Sequence, residues 1–234
     1  MSQDEIRFKT LDPDAGSARW HPYAGIYLIV LKRVCNPLAM NSSRGMVYYP
    51  YPPYGQWAGF DLQLMEWVAP LGKGMHEDVA IRIERMDTPN GYQKTMEVSF
   101  TNNLYGGAYL MKTDRCSEMT SVYVANTNAD YRSSFAYAFG RGNAGYHKVE
   151  LKDGEYLVFR TRTIVNDKGE LLSAHYGKIY GNWRFSEKGG MAIGKIVFNP
   201  NPNDPNLEDL ETAERSRRYL RQLDEKLKKE CNKK

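Results

Sequence analysis

From Gly25 to Asn199 the apolar residues recur with a period of two rather than 3.6, and turn-forming residues interrupt the pattern about every ten positions. A chain so patterned has to fold as strands, because a period of two puts successive side chains on opposite faces of a sheet. Val79-Ala-Ile-Arg-Ile83 and Met96-Glu-Val-Ser-Phe100 alternate cleanly, and Phe60 to Val68 reads as one further half-buried strand. Strands are also expected at Ile6–Phe8, Gly25–Leu31, Ser121–Ala125, Ser134–Phe139, 155–165, 171–180 and Ile193–Phe198. Asn90-Gly91 and Asp153-Gly154 tolerate positive φ and predict tight hairpins, with a slightly longer one at Asn166–Gly169. About ten strands joined by short turns favour two packed antiparallel sheets over one open sheet. The expected fold is therefore an all-β, two-sheet antiparallel β-sandwich of jelly-roll type.

The pattern changes at Asn199-Pro-Asn-Pro-Asn-Asp-Pro-Asn206, where three prolines lack the N–H a sheet needs. Beyond it Leu207, Leu210, Ala213, Leu220, Leu223 and Leu227 recur at helical spacing, acids precede bases, and Asp204-Pro205 fits a helix start. This predicts an amphipathic helix from Pro205 to Lys229 docked on the sandwich. The organisation reads as an N-terminal segment 1–24, a sandwich domain 25–199, a Pro/Asn linker 200–206 and a C-terminal helical segment 207–234.

Composition narrows the function classes. With 41% hydrophobic and 26% charged residues among 234, the chain has ordinary globular usage, so disorder is disfavoured. Thirty-two basic against 28 acidic side chains leave +4, interleaved along the chain, which points to no nucleic-acid partner. The apolar run at Gly25–Leu31 is far shorter than the ~20 residues of a membrane span and closes on Lys32-Arg33, so no membrane span is expected. Met1-Ser-Gln-Asp-Glu5 carries no leader pattern. The richness in Tyr, Asn and Pro suggests an extracytoplasmic protein whose leader is absent from this chain, with a cytoplasmic location as the alternative. Cys35, Cys116 and Cys231 form neither a disulfide framework nor a metal motif; Cys35 and Cys116 are expected as small buried residues, and a bridge between them is the other option. Asn41-Ser42-Ser43 is a glycosylation acceptor only in a eukaryotic secretory pathway.

The candidate ligand site is Val47-Tyr-Tyr-Pro-Tyr-Pro-Pro-Tyr-Gly-Gln-Trp57, where prolines stiffen an aromatic run. Rings held this way lose little entropy when a flat apolar surface such as a sugar stacks on them. Tyr48, Tyr49, Tyr51, Tyr54 and Trp57 are the expected platform; the competing reading is that these rings cover the end of the core. Arg160 and Arg162, alternating with Tyr156, Val158 and Ile164, are expected on one strand face, able to hold a carboxylate or phosphate or simply paired across strands. Glu66, placed by alternation among Phe60, Leu62, Leu64 and Val68, is the weak catalytic candidate as a general acid, with a Glu paired with an Arg or lying at the sheet edge as the plainer reading and Asp61 expected on the opposite face.

Other motifs carry less. Gly140-Arg-Gly-Asn-Ala-Gly145 spells a dinucleotide fingerprint but leads into a strand rather than a helix. His21, His76, His147 and His175 are scattered, so no metal and no cofactor is expected, and His76-Glu77-Asp78 reads as a solvated loop. The pattern resembles the β-sandwich domains often found in exported carbohydrate-handling proteins. The expected function is a non-catalytic glycan-binding domain with an oligosaccharide partner. The alternatives are a structural or interaction protein of a cell-envelope assembly, meeting a protein partner through the aromatic segment or C-terminal helix, and a glycan-cleaving hydrolase using Glu66.

Overall fold

The computed structural model describes residues 5–8, 27–30, 35–101, 105–113, 121–141, 147–148, 154–181, 183–186, 190–211 and the single positions 214, 218 and 221. The described residues form sixteen strands, all antiparallel to their sheet neighbours. One sheet is built from β5 (Trp57–Asp61), β6 (Glu66–Trp67), β7 (Val79–Thr88), β8 (Gly91–Phe100), β10 (Ser134–Arg141) and β11 (His147–Lys148), in the order β11-β10-β8-β7-β5-β6. A second holds β3 (Asn41–Ser42), β9 (Gly107–Lys112), β12 (Glu155–Val165), β13 (Leu171–Tyr180) and β16 (Lys195–Phe198), in the order β3-β16-β13-β12-β9. A small third sheet joins β4 (Val47–Pro50), β14 (Arg184–Ser186) and β15 (Gly190–Ile193), and β1 (Glu5–Phe8) pairs with β2 (Tyr27–Val30).

The inward positions of the first two sheets and of the third share one core. Ile81 and Ile83 of β7, Met96 and Val98 of β8, Leu157 and Phe159 of β12, and Met191 and Ile193 of β15 are all buried in it. Side chains from three sheets thus meet in one core, and the strands form four sheets where two are expected. The second sheet is also covered on its other side, where Tyr156 and Val158 of β12 and Ala174 and Tyr176 of β13 bury against Ala125 and Leu207. Burial on both faces explains why β12 carries the near-continuous apolar run Tyr156-Leu-Val-Phe159.

Several expectations change. Phe60 to Val68 is not one strand but the hairpin β5–β6, with Phe60 opposite Trp67 and Asp61 opposite Glu66. The Asp61 carboxylate accepts hydrogen bonds from the Gln63 and Leu64 N–H groups, and this side-chain turn breaks the strand where alternation alone would continue it. Ser121–Ala125 makes a single bridge, Val124 to Asn206, rather than a strand. The β7–β8 connection is Pro89-Asn90, one residue earlier than expected, because proline presets the first turn position and Gly91 pairs with Thr88. The 155–165 and 171–180 strands match β12 and β13, joined at Asn166–Gly169 as expected, with Gly169 at φ 77°. Asn206 and Asp209 sit in β-bridges, so Pro205 does not start a helix; Leu210 is the first helical residue, and most of the segment expected to be helical lies outside the described residues. Cys35 is exposed rather than buried, and Cys116 lies outside the described residues.

Candidate functional site

The structure divides the aromatic segment instead of presenting it as one platform. In β4 the alternation points Tyr49 into the core, where its ring meets Phe60 edge-on at 5.0 Å and its hydroxyl donates to the Met65 carbonyl at 2.7 Å. Burial, with the Glu66 charge added, pushes the Tyr49 hydroxyl well above the usual tyrosine range, so it stays a neutral donor. Tyr48, its neighbour, faces outward and is 69% exposed. Trp57 lies on the outward face of the first sheet, 49% exposed, opposite Arg82. The Arg82 guanidinium stands over its ring at 4.9 Å and is held by Glu97 at 2.6 Å, a ladder across β5, β7 and β8.

Tyr51 and Tyr54 belong to a different place. Past β4, Gly55 (φ 76°) turns the chain and donates its N–H to the Ile83 carbonyl at 2.9 Å, which lays the segment along the end of β7. There the inward face of the first sheet runs out of the core. Ile83 and Met96 form the last buried apolar pair of β7 and β8, Arg85 and Lys94 the next, and Asp87 and Tyr92 the one after. Glu84 through Asn90 are exposed, so among the described residues this end of the β7–β8 hairpin reaches out of the core and is its open end. Tyr51 and Tyr54 rings lie 6.0 Å apart over it, and Phe185 of β14 stacks on Phe139 of β10 at 5.9 Å alongside. Lys94 Nζ sits 4.6 Å from the Tyr51 ring and 5.4 Å from the Tyr92 ring, and donates to Tyr51 Oη at 3.3 Å. Burial, reinforced by Tyr54 and Tyr92, pushes the Tyr51 hydroxyl up to about 12. Lys94 and Tyr92 are site residues that the sequence reading missed; continuing the Met96, Val98, Phe100 alternation backwards places both on the inner face.

A second polar centre ties the two large sheets together. Asp61 and Asp78 are fully buried. Asp78 accepts from the Leu62 N–H at 2.9 Å, Thr161 Oγ1 at 3.0 Å, and Arg162 Nε and Nη2 at 2.9 and 3.0 Å. Asp61 accepts from the N–H groups of Gln63, Leu64, Met75 and His76 and from Arg162 Nη2 at 3.2 Å. Burial alone would raise the Asp61 carboxyl, but the Leu64, His76 and Met75 N–H groups and the Arg162 guanidinium outweigh it and hold it below its ordinary value. Arg162 also donates to Gln63 Oε1 at 2.5 Å and covers the Phe198 ring at 4.9 Å. The His175 ring stacks on Phe198 at 5.5 Å, and burial lowers its pKa, aided by Arg162 and His76 and opposed by the Asn199 carbonyl and Asp78.

This overturns two expectations about charged residues. Arg160 and Arg162 do not share a face. A bulge follows Thr161, and Arg162 takes a left-handed φ of 51° that turns its side chain toward Asp61 and Asp78. Arg160 points to the other side, donating to the Tyr105 and Thr127 carbonyls and stacking on Tyr131 at 4.1 Å. Asp78 is not a solvated loop acid but the buried anchor of the network. Glu66 is half-buried, opposite Asp61 in the β5–β6 register, and its Oε1 accepts from the Trp67 N–H at 3.1 Å. Both Asp61 oxygens are already committed to donors, so its carboxylate is a structural acceptor. Among the described residues no group of His, Cys, Asp and Glu is arranged to hold a metal ion, and no helix is long and apolar enough to cross a membrane.

No family model, curated protein or solved structure matches this chain.

Proposed function

We propose that this is a non-catalytic glycan-binding domain of an extracytoplasmic protein, and that its ligand stacks at the open end of the sandwich on Tyr51, Tyr54 and Tyr92. The observation that carries the reading is the exposure of Tyr54, 47% of its surface, on a proline-flanked turn with a second tyrosine ring 6.0 Å away. Side chains so placed are costly to solvate and cheap to order, which is what a sugar-stacking surface requires. Gln56, in the same turn, and Asn90, in the β7–β8 connection, are exposed and supply hydrogen-bonding groups for hydroxyls. The scaffold in this reading is a jelly-roll-type sandwich, a reading supported by the core that side chains of the sheets share.

The test is native mass spectrometry of the purified chain with a mixed oligosaccharide library, followed by titration of the best binder. Tyr54→Ala and Tyr92→Ala are each expected to cost about 1 kcal/mol, about fivefold in Kd, with the library masses uncleaved. Unchanged affinity in both variants, together with loss of binding in Trp57→Ala, would contradict the placement and move the site to the outward face. Loss of library masses that a Glu66→Gln variant abolished would establish the hydrolase instead.

A further inference from the structure

We infer that the open end selects acidic glycans, with Lys94 receiving an anionic substituent of a sugar whose ring lies on Tyr51 and Tyr54. The inference rests on the glycan-binding reading and names its ligand class. Lys94 is only 8% exposed, one strand position beyond the apolar core, where lysine is rare unless an acid pairs with it. Among the described residues no carboxylate does so. Its partners are the Tyr51 hydroxyl at 3.3 Å and the faces of two tyrosine rings. An ammonium has three N–H donors, and Tyr51 Oη accepts one of them.

The nearest charged neighbours leave that charge uncancelled. Arg85, the register partner of Lys94, stands over the same Tyr92 ring at 5.2 Å, and its own charge is matched by Asp87 at 2.8 Å. Among the described residues, Lys94 and Arg85 against Asp87 leave one uncompensated positive charge among aromatic faces. Ring faces weaken the hydration of a cation without satisfying its donors, so a carboxylate or sulfate oxygen arriving there gains a charge-assisted hydrogen bond in a poorly solvated setting. A neutral sugar gains only the stacking. The arrangement recognises an anionic oxygen group next to a flat sugar face, whether a uronate carboxylate or a sulfate ester.

Isothermal titration calorimetry of the full chain against an oligogalacturonate, a heparin oligosaccharide and an uncharged cello-oligosaccharide tests this, each in low and high salt. At least one acidic probe is expected to bind about tenfold tighter than the neutral one in low salt, and to lose that advantage in high salt. The probe that does so separates carboxylate from sulfate recognition. Lys94→Met, which keeps length and removes charge, is expected to bring the acidic probe down to the neutral level, while Lys94→Arg retains the preference; thermal unfolding checks that each variant is folded. Should Lys94→Met not fold, Lys94→Arg and the salt series decide. Equal binding of acidic and neutral probes, a preference insensitive to salt, or a preference that survives in Lys94→Met would overturn acid selection and leave the stacking site standing. Binding of none of the three would overturn both.

Discussion

At the scale of single residues the most consequential side chain is Arg162. It is held in a left-handed backbone conformation that a non-glycine residue adopts at a cost, and it bridges two fully buried aspartates, Asp61 at the end of β5 and Asp78 just before β7. Replacing one partner of such a centre leaves uncompensated buried charge, so Arg162→Met is expected to destabilise the fold by about 3–5 kcal/mol in urea unfolding. The same centre sets the acid response. Asp61 has a folded pKa below its unfolded value, so its contribution is complete above the ordinary carboxylate pKa and is lost as pH falls through the lower folded value. His175 also has a lowered folded pKa, so protonation is resisted in the folded state, and stability begins to fall as pH drops below the ordinary imidazole value of ~6.5. Unfolding free energy should therefore decline in two stages on acidification, and His175→Asn should flatten the upper one. Little of this was legible in the sequence. Alternation assumes a regular strand, and the bulge after Thr161 falls where Thr161 and Arg162 meet the Asp78 carboxylate, a residue distant in sequence and read there as a solvated loop acid.

At the scale of elements the close approach of backbone to ring decides more than propensity. Gly177 of β13 lies where an added Cβ would fall on the Phe159 ring and the Val197 carbonyl oxygen. Gly177→Ala forces one of these to move and is expected to lower stability by about 1–3 kcal/mol in denaturant titration, although alanine is intrinsically the better strand residue than glycine. Gly194 plays a similar part between β15 and β16, facing the Tyr180 carbonyl, and divides the expected strand Ile193–Phe198 in two. In Tyr176-Gly-Lys-Ile-Tyr-Gly181, Gly177 thus marks close packing, whereas Gly181 answers to its left-handed φ of 84°. Strands with a clean outward face, β8 and β7 as far as Ile83, were legible because each residue's environment follows its parity. The β5–β6 hairpin was not. Its turn is written in an aspartate side chain and flanking leucines, with no glycine, proline or asparagine to signal it.

At the scale of the whole molecule the all-β antiparallel architecture follows from alternation and turn spacing, whereas the strand order does not. The chain passes from β8 in one sheet to β9 in the other and back to β10, a choice fixed by the β9–β12 pairing across a long stretch of sequence. The same long-range geometry splits the aromatic segment, sending Tyr49 to the core, Trp57 to an outward face and Tyr51 with Tyr54 to the open end beside Lys94. Sequence reasoning gathers these rings because they are neighbours along the chain; the sheet separates them because register assigns each to a face. In the proposed function a glycan rests at the open end and not on the outward ladder of Trp57, Arg82 and Glu97. The most direct measurement is a set of two-dimensional aromatic and amide NMR spectra recorded while the best-binding oligosaccharide is added. The account predicts that shift changes concentrate on Tyr51, Tyr54, Tyr92, Lys94 and Phe185 while Trp57 and Tyr48 stay still. Changes centred on Trp57 or Tyr48, with the open-end residues unmoved, would contradict it.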